Sequence, residues 1–130
     1  MHSPHPQTQR TILIVDDEEP VLDLLRSTLE TRGFEVFTAT DQARARFLWE
    51  ETKGKFDIVL MDINLATEGE GLDFAHDLRA ERPETKIIFI SGVLLDSFRN
   101  PSLVKGYNFL QKPFNFDELM QAVAKHLYFL

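Results

Sequence analysis

The sequence predicts an α/β protein of the (βα)5 kind, a doubly wound parallel five-stranded sheet. Five short apolar runs, at 12–15, 34–38, 58–61, 87–90 and 108–110, alternate with five amphipathic segments. Three of the runs, 12–15, 58–61 and 87–90, are continuously apolar rather than alternating, as expected of parallel strands covered on both faces.

The first run, Thr11-Ile12-Leu13-Ile14-Val15, ends at Asp16 and Asp17. A helix follows, with Pro20 in its first turn, the stripe Val21, Leu22, Leu25 and Leu29, and Gly33 as its stop. The second run, Phe34-Glu35-Val36-Phe37-Thr38, is mixed and suits an edge strand. Ala45, Leu48, Trp49 and Thr52 have helical spacing between Asp41, an N-cap, and Gly54, a stop. Ile58-Val59-Leu60-Met61 ends at Asp62, and the next helix carries Leu72, Ala75, Leu78 and Arg79 up to Pro83. The run 87–90 ends at Ser91. The fourth helical segment is irregular because Pro101 cannot sit mid-helix without losing a hydrogen bond. One solution makes Asn100 the N-cap and Pro101 the first residue of a short helix reaching about Lys105. Asn108-Phe109-Leu110-Gln111 leads into Lys112, and a last helix starts at Asn115 with Glu118 at the capping-box position. Its apolar side is Phe116, Leu119, Met120, Val123 and Leu127.

The 130 residues fit one domain with a core of its own, and 43% hydrophobic and 27% charged residues are ordinary for a globular protein. The absence of Cys excludes disulfides, thiolate metal sites and cysteine nucleophiles, and fits a cytoplasmic protein. No apolar stretch approaches the ~18 residues that cross a bilayer, and no membrane partner is expected. A net charge of −7 without a basic stripe argues against direct nucleic-acid binding. Residues 1–9 read as a disordered leader. The ending Tyr128-Phe129-Leu130 is apolar, as at a chain boundary or a contact surface.

Parallel strands bring their carboxyl ends to one edge, so Asp16, Asp17, Asp62 and Lys112 converge there. Clustered carboxylates repel unless a cation or a proton compensates. Hard oxygen ligands of this kind suit Mg2+. Beside such an ion Asp62 would be a nucleophile towards phosphorus, Lys112 a compact cation for the phosphoryl oxygens, and Ser91 a hydroxyl donor to the same oxygens. Each residue alone has a plainer explanation. Asp16 and Asp17 also suit a helix amino terminus, Asp62 a cap, Ser91 a turn before Gly92, Lys112 a solvated surface and Phe109 the core. His2, His5, His76 and His126 have no metal-pair spacing.

Together, Ile-Leu-Ile-Val-Asp16-Asp17-Glu-Glu, Asp-Ile-Val-Leu-Met-Asp62-Ile-Asn, Ile-Phe-Ile-Ser91-Gly and Phe-Leu-Gln-Lys112-Pro113-Phe114 resemble the receiver domain of two-component response regulators. The likeness runs from about Arg10 to Leu127 and assigns 10–130 to a receiver domain. It implies the flavodoxin-like strand order 2-1-3-4-5. It also implies that Asp62 is the phosphoacceptor, with Mg2+ held by Asp17, Asp62 and the backbone carbonyl of Asn64, and by Asp16 largely through water. Ser91 and Lys112 would hold phosphoryl oxygens, Phe109 would be the aromatic switch residue following Ser91, and Lys112-Pro113 would be cis. The implied partners are a sensor histidine kinase or histidine phosphotransfer protein, and a downstream protein on the face of the fourth helix, fifth strand and last helix. The implied state is a monomer or a phosphorylation-dependent dimer, in a bacterial switch rather than a turnover enzyme.

Three departures from the family pattern stand out. Ala66 replaces the usual proline four residues past Asp62, and Gly71 lies nine past it rather than eight, so the loop 66–70 is one residue longer and expected to be mobile. The stretch from Ser91 to Lys112 is one residue shorter and contains Pro101. Gly92-Val93 resembles receivers attached to, or working with, histidine kinases. Two rival functions remain: a degenerate receiver serving as a phosphorylation-independent docking module, and a small Mg2+-dependent phosphatase with an aspartyl-phosphate intermediate. The second usually needs an acid two residues past the nucleophile, where this chain has Asn64.

Overall fold

The computed structural model describes residues 9–127; the predicted leader, apart from Gln9, and the apolar ending lie outside them. Five strands, β1 (Thr11–Val15), β2 (Glu35–Ala39), β3 (Ile58–Asp62), β4 (Ile87–Ser91) and β5 (Phe109–Gln111), form one parallel sheet in the order β2-β1-β3-β4-β5. The helices are α1 (Glu19–Thr31), α2 (Gln42–Glu51), α3 (Glu70–Glu81) and α4 (Phe116–Leu127), with a 3₁₀ turn at Leu95–Phe98.

Side chains alternate across a strand, so each continuous apolar run serves two cores. Ile12, Ile14, Ile58, Leu60, Ile88 and Ile90 face Leu22, Leu25 and Leu29 of α1 and Leu119, Ala122 and Val123 of α4. Leu13, Val15, Val59, Met61 and Phe89 face Ala45, Leu48 and Trp49 of α2 and Phe74, Ala75 and Leu78 of α3. Strand β2 is the half-exposed edge that its mixed run predicts.

Local signals set the helix ends. The Asp41 carboxylate accepts from the Arg44 amide at 2.7 Å, capping α2. Asn115 and Glu118 exchange side chain-to-backbone bonds of 2.8 and 3.0 Å, the reciprocal capping box of α4. Phe34 is not in β2; its amide closes the end of α1 on the Leu29 carbonyl and its ring fills the α1-side core.

The helix expected from Pro101 to Lys105 is absent. Asn100 closes a local turn instead of capping a helix, its Oδ1 accepting from the Ser102 amide and hydroxyl at 3.0 and 2.7 Å. The turn does not propagate because Asn108 intercepts it. Its Oδ1 takes the Val104 amide at 2.6 Å and its Nδ2 donates to the Ser102 carbonyl at 2.8 Å. Asn108 is therefore a latch for this crossover rather than part of β5, and the only helical turn in it is the 3₁₀ segment, closed by Arg99 at φ 47°. The face expected of the fourth and last helices lacks its fourth α-helix and consists of this crossover, β5 and α4.

Candidate functional site

Register carries the chemistry to one edge. Val15 pairs with Met61 and Asp62 with Ile90, while Ser91 pairs with Gln111, so Asp16, Asp62, Ser91 and Lys112 leave neighbouring strands at the same level. Asp16, Asp62 and Ser91 are buried, and Asp17 is exposed. The Lys112 Nζ lies 2.8 Å from Asp16 Oδ2, 3.0 Å from Glu18 Oε1 and 3.3 Å from Asp62 Oδ2. The Lys112–Pro113 peptide bond is cis.

The carboxylates are held by the backbone. Asp16 Oδ1 accepts from the Glu18 amide at 2.8 Å, and Asp62 Oδ1 from the Asn64 amide at 3.1 Å. The Asn64 side chain braces the next loop instead, its Oδ1 accepting from the Gly69 amide at 2.7 Å. The Ser91 Oγ accepts from the Val93 amide at 2.9 Å. Phe109 is fully buried and edge-on to Phe98 of the 3₁₀ turn, ring centroids 6.0 Å apart.

The lengthened loop 66–70 is tied down. Gly69, left-handed at φ 77°, caps α3, and Glu70 Oε1 accepts from both the amide and the hydroxyl of Thr67. Gly71 explains itself by space: a Cβ there would lie 1.9 Å from the Asp62 carbonyl oxygen. Its amide donates to the Ile63 carbonyl at 2.7 Å, so α3 starts against the backbone of the candidate acceptor.

Burial raises the Asp62 pKa from 3.8 to about 6; Lys112 pulls against this and Asp16 adds to it. Burial also works against the Lys112 ammonium, but its contacts with Asp16 and Glu18 prevail and hold its pKa above the ordinary lysine value. Glu18 is the contact that sequence reasoning missed. Its only signal was its place directly after Asp17, where a first-turn acid explains it equally well.

Oxygens of Asp16, Asp17 and Asp62 lie within 4.8 Å of one another. Ligand oxygens at ~2.1 Å from Mg2+ stand ~3–4 Å apart, so small movements or an intervening water bring them into range. Asp16 Oδ2 is also the one buried side-chain oxygen without a hydrogen bond among the described residues, its approach to Lys112 being ionic. Hard carboxylate donors with an unfilled buried lone pair fit a small divalent cation.

The fold and this edge define a parallel α/β domain with a carboxylate–ammonium centre at its carboxyl ends. The chain belongs to the response regulator receiver domain family of two-component systems, whose family model matches residues 12–124. It is 35% identical to the sensor kinase CckA of Brucella abortus over 118 residues, 90% of this chain and 12% of that kinase. It is 31% identical to the alginate biosynthesis transcriptional regulatory protein AlgB of Pseudomonas syringae over 122 residues, 93% of this chain and 27% of that regulator. The chain thus spans well under a third of either relative. A response regulator receiver protein from Sinorhizobium medicae superposes with a TM-score of 0.78 at 28% identity, covering 95% of this chain and 98% of that one. The response regulator TrrA of Thermotoga maritima, solved in complex with Mg2+-BeF, does so with a TM-score of 0.72 at 31% identity, covering 92% and 100%.

Proposed function

We propose that this domain is a phosphoacceptor switch in a bacterial two-component relay, taking a phosphoryl group from a phosphohistidine onto Asp62. The observation that carries the reading is the Lys112 ammonium, held between Asp16 and Asp62 at the carboxyl edge of the sheet. Asp17, Asp62 and the Asn64 carbonyl would hold Mg2+, with Asp16 acting mostly through water. Bound there, the ion would neutralise charge on the transferring group. The Mg2+-BeF complex of TrrA supports that site.

In the transfer an Asp62 carboxylate oxygen attacks phosphorus and the P–N bond to the donor imidazole breaks. The nitrogen keeps the electron pair, and an acyl phosphate forms on Asp62. Lys112 lies within reach of the new oxygens, and the Ser91 hydroxyl hydrogen is free to turn towards them because its Oγ acts as acceptor to Val93. Ser91 and Phe109 then carry the change outward, and Phe98 against Phe109 links it to the 3₁₀ crossover.

The donor is a sensor histidine kinase or a histidine phosphotransfer protein, and the setting is the cytoplasm. A groove beside the site, lined by Val21, Leu24, Leu25, Pro113 and Phe114, gives such a donor an apolar seat; Leu24 is 68% exposed. The downstream partner reads the face of the crossover, β5 and α4, and the domain acts as a monomer or a phosphorylation-dependent dimer. The domain is a switch, not a turnover enzyme: Asn64, where a hydrolase would place its acid, is engaged with Gly69.

Incubation with Mg2+ and acetyl phosphate, followed by intact mass measurement, tests the reading. One acid-stable, base-labile phosphate adduct is expected, absent in Asp62→Ala and after chelation of the metal. No adduct with any donor, kinase included, would favour a docking module. Steady hydrolysis of unrelated phosphomonoesters would favour a phosphatase.

A further inference from the structure

At the opposite edge of the sheet lies a cavity of about 380 Å³ whose walls, among the described residues, carry cations and no carboxylate. Arg79 comes from α3, Lys86 from the residue before β4, and Lys125 and His126 from the last turn of α4. In a chain with 14 Lys and Arg against 21 Asp and Glu, this convergence from three elements is not the expected distribution. Among the described residues no carboxylate forms an ion pair with Arg79, Lys86 or Lys125.

Each cation is instead pinned by one backbone carbonyl. Arg79 Nε donates to Thr85 at 3.3 Å, Lys86 Nζ to His126 at 2.6 Å and Lys125 Nζ to Gly106 at 3.1 Å. An ammonium has three donors and a guanidinium five, so every one of these groups keeps hydrogens to spare. Beside them, Tyr107 stacks on His126 with ring centroids 4.4 Å apart and planes 26° from parallel. Tyr107 is 44% exposed and offers its other face as a flat wall. His126 Nε2 donates to the Tyr107 carbonyl at 3.0 Å, which fixes the ring. Burial pushes the His126 pKa down, its bond to the Tyr107 carbonyl opposes this, and the charges of Lys86 and Arg79 add to the lowering.

We propose that this pocket binds a nucleoside phosphate, with Arg79, Lys86 and Lys125 on the phosphates and the base laid on the Tyr107–His126 pair. Its volume suits a small ligand, and an anion with a planar ring uses both walls. The site is separate from Asp62: five steps along the strand put ~16 Å between Lys86 and the Ser91 end of the sheet.

Titration with ATP, GTP, adenosine and pyrophosphate in the presence of a chelator, followed by NMR and calorimetry, tests this. Saturable one-to-one binding of ATP or GTP is expected, moving the ring signals of Tyr107 and His126. Arg79→Gln and Lys125→Gln should each weaken it about five-fold, ~1 kcal/mol, while acetyl phosphate still labels Asp62. Tyr107→Ala should weaken the nucleotides and spare pyrophosphate. Absence of saturation, affinity unchanged in both charge variants, or pyrophosphate binding as tightly as ATP would each overturn the assignment.

Discussion

Lys112 is a counter-ion before it is anything else. Its ammonium satisfies two buried carboxylates that would otherwise face each other across the edge. Removing one partner of a buried ion pair leaves uncompensated charge, so Lys112→Met should destabilise the metal-free protein by ~3–5 kcal/mol in urea melts at neutral pH. Millimolar Mg2+ should restore part of that loss. Asp62 behaves in the reverse sense. Its folded pKa, about 6, lies above 3.8, so the native state binds a proton more tightly than the unfolded chain does. The ionised carboxylate therefore burdens the fold above pH 6, and stability from this group grows as pH falls from 6 towards 4. A shift of roughly two pKa units corresponds to ~3 kcal/mol at most. Asp62→Asn should accordingly raise the melting temperature of metal-free protein at pH 7.5, with a gap that closes near pH 4. An unchanged or lowered melting point at pH 7.5 would contradict this.

Among the elements, α3 and the β4–β5 crossover depend most on single residues. A Cβ on Gly71 would meet backbone rather than a yielding side chain. Gly71→Ala should therefore push α3 off β3, cost upwards of ~3 kcal/mol, and impair Asp62 phosphorylation out of proportion to the methyl group added. Circular dichroism melts with parallel acetyl phosphate labelling would check both effects. Asn108→Ala removes two hydrogen bonds from the crossover and should cost ~1–3 kcal/mol, seen as a lower denaturant midpoint. These two residues also show where sequence reading stopped. Strand runs, the Asp41 cap and the Asn115–Glu118 box are periodic or local and were legible. The contact of Gly71 with Asp62, and the latch from Asn108 to Ser102 and Val104, depend on how the chain folds back, which propensity does not encode. The third helix shows the same limit: Phe74, absent from the expected stripe, is buried with Ala75 and Leu78, while Leu72 packs half-buried against the same core.

Across the whole molecule, Asp16, Asp17, Asp62, Ser91 and Lys112 were readable because each follows an apolar run, and parallel pairing aligns such ends. Glu18 and the basic pocket were not, since neither the Glu18–Lys112 contact nor the meeting of Arg79 with Lys125 is local in sequence. The crossover order β2-β1-β3-β4-β5 adds a consequence for synthesis. A chain leaving the ribosome exposes Asp16, Asp17 and Asp62 well before Lys112, whose strand is the last to join the sheet. The three carboxylates are thus synthesised before their ammonium, and until it arrives only cations from the surrounding water can compensate them. Completion of the fifth strand sets one ammonium against three carboxylates, so the centre is partly neutralised from within only when translation of the sheet is finished.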